Sequence, residues 1–111
     1  MNDPLQEMVG EQLGAVTFVQ DYLQLQFGGP VLNVVTVATP QGRARSGDDQ
    51  FRNLLCSCIA KKVSRVAVTE QEALSIHLAD GSSIFVSLRD QDYRCPEAVN
   101  FHGRSNEMLV I

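Results

Sequence analysis

Apolar and polar positions alternate through most of this chain. From Tyr22 to Phe27, Leu23, Leu25 and Phe27 point one way and Gln24 and Gln26 the other, the pattern of a half-buried strand. Val16 and Phe18 share one face of a run from Ala15 to Gln20, and Val66 and Val68 share one face of a run from Ser64 to Thr69. From Ala73 to Ala79, Leu74, Ile76 and Leu78 point inward and Ser75 and His77 outward; Ile84, Val86 and Leu88 then form another inward set. Val31 to Ala38 is β-branched and almost continuously apolar, which predicts a central strand covered on both faces. Gly28-Gly29-Pro30, Glu70-Gln71-Glu72 and the hairpin dipeptide Asp80-Gly81 mark the turns between these runs.

One stretch breaks the two-residue period. Phe51, Leu54, Leu55, Cys58 and Ile59 fall at helical spacing and predict an amphipathic helix from Phe51 to Lys62, with its stripe on the core. Asp48 and Asp49 precede it and lysines close it, as the helix dipole favours. Asp3-Pro4, followed by Leu5, Met8 and Val9, predicts a second, shorter helix ending at Gly10. Thr39 to Gly47 is Gly- and Arg-containing loop, and Arg89 onward is a polar, irregular tail that returns to apolar character at Met108-Leu109-Val110-Ile111.

These elements recur. Moved forward by fifty residues, Met8 meets Cys58, Gly10 meets Ala60, Leu13 meets Val63 and Val16 meets Val66. After one single-residue slip Leu23 meets Leu74, and after a second Leu32 meets Ile84 and Val34 meets Val86. The expectation is one domain holding an internal repeat, approximately 4–38 and 50–88, and a tail, 89–111. Its fold class is expected to be α+β: mainly antiparallel sheet from two duplicated helix-plus-three-strand meanders, with the central helix packed on the sheet.

Composition changes little in that picture. The 111 residues, 44% of them hydrophobic, can bury a core without metal or disulfide staples. Thirteen acidic against nine basic residues give a net charge of −4, which disfavours nucleic acid. Three cysteines, Cys56, Cys58 and Cys95, without a signal-like N-terminus predict free thiols and a cytoplasmic protein. No apolar run is long enough to cross a membrane as a helix, so no membrane partner is expected.

Candidate chemistry is sparse. Cys56 and Cys58 stand about 200° apart on a helix and cannot clamp one metal together. Asp48 and Asp49 occupy the helix start that a phosphate would need, despite Arg43 and Arg45 nearby. His77 on an outer strand face and His102 in the tail lack metal-ligand spacing, and a Cys95–His102 nucleophile pair has no local support. No catalytic residue, metal ligand or cofactor is expected. The tail interleaves Arg89, Asp90, Asp92, Tyr93, Arg94 and Glu97, a mixture that suits either a solvated loop or a recognition surface. The binding candidates are therefore Arg89, Asp92, Tyr93, Glu97, His77 and His102.

The runs Val16-Thr17-Phe18-Val19-Gln20-Asp21-Tyr22-Leu23-Gln24-Leu25-Gln26-Phe27 and Phe51-Arg52-Asn53-Leu54-Leu55-Cys56, with Pro96-Glu97-Ala98, resemble stretches of small uncharacterised bacterial proteins. That resemblance implies a bacterial, cytoplasmic protein of unknown function and brings no activity, cofactor or site residue.

The functional expectation is a non-enzymatic binding or protein-interaction module, with a protein partner or a homodimer formed through exposed sheet edges or the Met108–Ile111 run. An acidic immunity- or antitoxin-like protein that blocks a basic partner is one concrete form. The competing class is a small-ligand or enzymatic site built from the C-terminal tail with His77, His102 or Cys95.

Overall fold

The computed structural model describes residues 4–20, 22–35, 38–40, 51–93, 98–103 and 108–111. Two antiparallel sheets dominate. One has five strands in the order β1-β2-β3-β8-β9 and the other four in the order β4-β7-β6-β5. The strands are β1 (Leu13–Val19), β2 (Tyr22–Phe27), β3 (Val31–Val34), β4 (Ala38–Pro40), β5 (Val63–Thr69), β6 (Ala73–Leu78), β7 (Ser83–Ser87), β8 (Val99–His102) and β9 (Met108–Val110).

The α+β expectation is thereby corrected to a mostly β fold. Its helical part is one short α-helix, α1 (Phe51–Cys56), and two 3-10 turns, Pro4–Met8 and Asp90–Asp92. The helix predicted to Lys62 stops early for a local reason. Past Ser57, whose N–H still reaches Asn53 O, the bonds tighten to three-residue spacing, Cys58 N–H to Leu55 O and Ile59 N–H to Cys56 O. Ala60 then enters the left-handed region at φ 76 and its N–H is diverted to Leu13 O. Tighter winding rotates the stripe faster than an α-helix would. Leu55 and Cys58 stay buried, Leu54 is half-buried, and Ile59 swings out to 38% exposure. Nor does the helix lie on a sheet face: it sits against β1 and β4. The N-terminal segment likewise winds as a 3-10 turn, with Leu5 and Met8 buried.

The single strand expected over Val31–Ala38 is two. β3 ends at Val34 in the five-stranded sheet, and β4 starts at Ala38 in the other, pairing with β7. The chain crosses back after β7, so that β8 joins β3. Each three-stranded meander therefore sends its next strand into the opposite sheet. β8 lies in the polar tail where no strand was expected; Val99 and Phe101 point inward and are fully buried, while Asn100 and His102 point away. The Met108–Ile111 run supplies the outer strand β9.

Inward residues from both sheets form one apolar cluster, including Leu25, Leu32, Phe101, Ile76 and Ile84. Full burial of a side chain of this size is worth roughly 1.5–3 kcal/mol. The two sheets also join directly. Leu13 N–H donates to Lys61 O at 3.0 Å, Val63 N–H donates to Glu11 O at 2.9 Å, and Gln12 and Lys62 form an isolated antiparallel bridge. β1 and β5 each bulge just beyond this junction, at Gly14 and Ser64. Register repeats too: Leu23 pairs with Val34 and Leu25 with Leu32, as Leu74 pairs with Val86 and Ile76 with Ile84.

Candidate interaction surface

The binding candidates read from the sequence do not converge. His77 lies on the outer face of β6, half-buried, sharing a 3.0 Å hydrogen bond through Nδ1 with Ser83 Oγ and meeting Phe85 edge-on at 6.3 Å. Asp92 accepts a hydrogen bond from Ser87 Oγ at the other end of β7. Ser83 and Ser87 are four residues apart, about 13 Å along an extended strand, so His77 and Asp92 are separated by the length of β7. Arg89 is exposed and its N–H donates to Ser87 Oγ, while Tyr93 packs half-buried against the core. These contacts make the segment after β7 a tied-down turn. His102 is exposed in the other sheet. Glu97 and Cys95 lie outside the described residues, as do Arg43, Arg45, Asp48 and Asp49.

Among the described residues, electrostatic perturbation stands out at two places. Lys61 and Asp80 form an ion pair at 2.5 Å at the β6–β7 turn, which raises the lysine pKa and, with hydrogen bonds from Ser82, holds the Asp80 carboxyl well below the ordinary carboxylate range. Burial pushes the Cys58 thiol up. Among the described residues no group of three His, Cys, Asp or Glu is placed to hold a metal ion. No described helix is long and apolar enough to cross a membrane.

A different feature emerges from the strands. The chain has nine basic and thirteen acidic residues, yet Arg65 is the one Asp, Glu, Lys or Arg in any described strand. The outer face of the five-stranded sheet is consequently free of charged side chains in its described strands. Its central row runs Thr17, Gln24, Asn33 and Asn100 across four strands. Gln24 Nε2 donates to Asn33 Oδ1 at 3.0 Å, and Gln26 Nε2 donates to Gln24 Oε1 at 2.6 Å. These bonds tie the three amides to one another across β2 and β3.

This face runs to the β1–β2 hairpin tip, where Val19 is 40% and Tyr22 39% exposed. Phe18, 38% exposed, pairs with Leu23 and so surfaces at the same tip from the inward face. The matching hairpin of the other sheet, β5–β6, has Val68 exposed but carries Glu70 and Glu72 at its turn. The two tips differ in length, two residues between Val19 and Tyr22 and three between Thr69 and Ala73, and in charge, one acid (Asp21) against two. Alternation placed these residues on strands but gave no reason to single them out; the signal available was the absence of charge from every alternating run but the one that holds Arg65.

The chain matches no family model, and no curated protein or solved structure matches it either.

Proposed function

We propose that this chain is a non-enzymatic protein-interaction module whose contact surface is the β1–β2 side of the five-stranded sheet. The supporting observation is the exposure of Val19 and Tyr22 at one hairpin, on a sheet face without charged side chains in its described strands, with Phe18 surfacing from the other face at the same tip. Interface centres are depleted of charge and enriched in aromatic residues, because desolvating an ion costs more than its new contacts return. The mutually bonded amides suit the same role, since they offer hydrogen bonds at little further loss of side-chain freedom.

The matching hairpin at Glu70–Glu72 supplies an internal control. A photo-crosslinking residue placed at Tyr22 is expected to form a covalent adduct with a polypeptide in cells expressing the chain, whereas one at Gln71 forms none. Equal yields at the two positions, or no adduct from position 22, would overturn the reading.

A further inference from the structure

We propose that the corner of the four-stranded sheet where Arg65, His77 and Ser83 stand side by side binds a phosphate monoester; this site lies apart from the interaction surface on the other sheet. Arg65 is the exception among the described strands, which otherwise carry no Asp, Glu, Lys or Arg. It is exposed and pairs with His77, which pairs with Ser83, so the three form one row across β5, β6 and β7. Their neighbours Val66, Ile76 and Ile84 are buried, which turns the row to the outer face. Lys62, just ahead of β5, joins it. Residues three apart on a regular strand face opposite ways, but the bulge at Ser64 offsets this. Val63 and Val66 are accordingly both buried, and Lys62 and Arg65 are both exposed.

Among the described residues, no acid answers these two charges. Asp80, the one acid of the adjoining β6–β7 turn, is paired with Lys61. Glu11, across the junction between the sheets, lays its carboxylate over Gly28 at the β2–β3 turn. Glu70 and Glu72 stand beyond the far end of β5, and Glu70 is five residues from Arg65, roughly 17 Å along an extended chain. Hydrogen-bond donors stand beside the cations. His77 Nδ1 and Ser83 Oγ are 3.0 Å apart and share one hydrogen. When the hydroxyl donates, imidazole Nε2 keeps its hydrogen; when the neutral imidazole donates, the hydroxyl keeps its own. Either way the pair presents one further donor. A guanidinium fork, an ammonium and that donor match a phosphate monoester, which carries about two negative charges at neutral pH and three acceptor oxygens. The first half of the chain repeats the backbone without the cations. β1 bulges at Gly14, Gln12 stands where Lys62 does, and the corresponding row is Ala15, Gln26 and Val31, continued by His102. The shape belongs to the fold, and the charge belongs to the second half.

Arg65 is exposed, so Arg65→Gln removes the charge without opening the core. The full chain is titrated with inorganic phosphate and followed by amide NMR, beside sodium chloride at equal ionic strength. Phosphate is expected to shift the amides of Arg65, His77 and Ser83 saturably and to leave those of Ala15, Gln26 and Val31 in place. Arg65→Gln is expected to weaken binding at least about tenfold. Phosphoserine in an otherwise uncharged peptide and adenosine monophosphate, titrated in the same way, distinguish a modified protein from a nucleotide as the source of the group; the source is the carrier that binds more tightly than inorganic phosphate. Shifts that chloride reproduces, equal shifts in the two rows, unchanged binding by Arg65→Gln, or failure of both carriers to bind would each overturn the inference. Crosslinking at Tyr22 tests the interaction reading on the other sheet, so the two stand or fall separately.

Discussion

Gly10 and Ala60, fifty residues apart, sit in the left-handed region at φ 87 and φ 76 and hydrogen-bond across to the opposite half of the chain. Gly10 N–H donates to Val63 O at 2.8 Å and Ala60 N–H to Leu13 O at 2.7 Å. The relationship is reciprocal, since Leu13 and Val63 are themselves fifty residues apart and each begins a meander. We propose that it marks an internal duplication, the two copies crossing at the Gln12–Lys62 bridge. The residues needed at the crossing differ in cost. Glycine adopts this conformation freely, whereas alanine pays roughly 1–2 kcal/mol for its Cβ.

Ala60→Gly is therefore expected to stabilise the fold by roughly 0.5–1 kcal/mol, after the greater freedom of glycine in the unfolded chain is deducted. Gly10→Ala is expected to destabilise it by a similar amount through backbone strain alone, since an added Cβ there meets nothing within 4 Å. Urea midpoints of the two variants check both signs.

The early end of α1 separates two residues that helical spacing treats alike. Leu55→Ala is expected to cost about 2–5 kcal/mol, because the side chain is fully buried and its removal leaves a cavity. Ile59→Ala is expected to cost under about 1 kcal/mol, since its side chain is 38% exposed. Equal losses in chemical denaturation would mean that the stripe continues unbroken past Cys56.

Cysteine labelling offers a check that needs no variant. Cys56 is exposed; Cys58 is buried, its thiol 3.4 Å from Leu54 O and its pKa raised by desolvation. Alkylation proceeds through the thiolate, so brief iodoacetamide treatment of the native protein is expected to modify Cys56 and spare Cys58. Peptide mass mapping distinguishes the two, and comparable modification would contradict the burial of Cys58.

The Lys61–Asp80 pair predicts a pH dependence with a definite sign. The folded-state pKa of Asp80 is depressed, so its contribution is fully present above the unfolded value of about 4 and is lost as pH falls toward the folded value. Asp80→Asn replaces the Asp-Gly turn dipeptide by Asn-Gly, which suits the same kind of turn, and removes the charge. The stability difference between wild type and this variant is expected to be constant from about pH 5 to 7 and to shrink below about pH 4, as read from urea midpoints across pH. A difference that grows on acidification would reverse the sign.

Strands were the legible part of this sequence. A two-residue period at Leu23, Leu25 and Phe27, or at Leu74, Ile76 and Leu78, leaves few alternatives once turn dipeptides bound each run. The helix was overestimated because Cys58 and Ile59 satisfy the spacing of a stripe, while what ends α1 is a hydrogen bond from Ala60 to Leu13, forty-seven positions away. β8 was hidden by its short length and by Asn100 and His102, whose polarity matches a tail as well as an outer face. The transfer of β4 and β8 between sheets depends on which edge each strand finds, and periodicity carries no such information. The candidate surface was missed because charged and aromatic groups drew attention to the tail, while the informative feature was charge missing from the strands.

The most direct measurement is native-state hydrogen exchange of the amides at the junction between the two sheets. The account predicts that Gly10, Leu13, Ala60 and Val63, whose N–H groups donate to Val63 O, Lys61 O, Leu13 O and Glu11 O, exchange slowly and as one group. Fast exchange at these four amides, or protection of one half without the other, would contradict it.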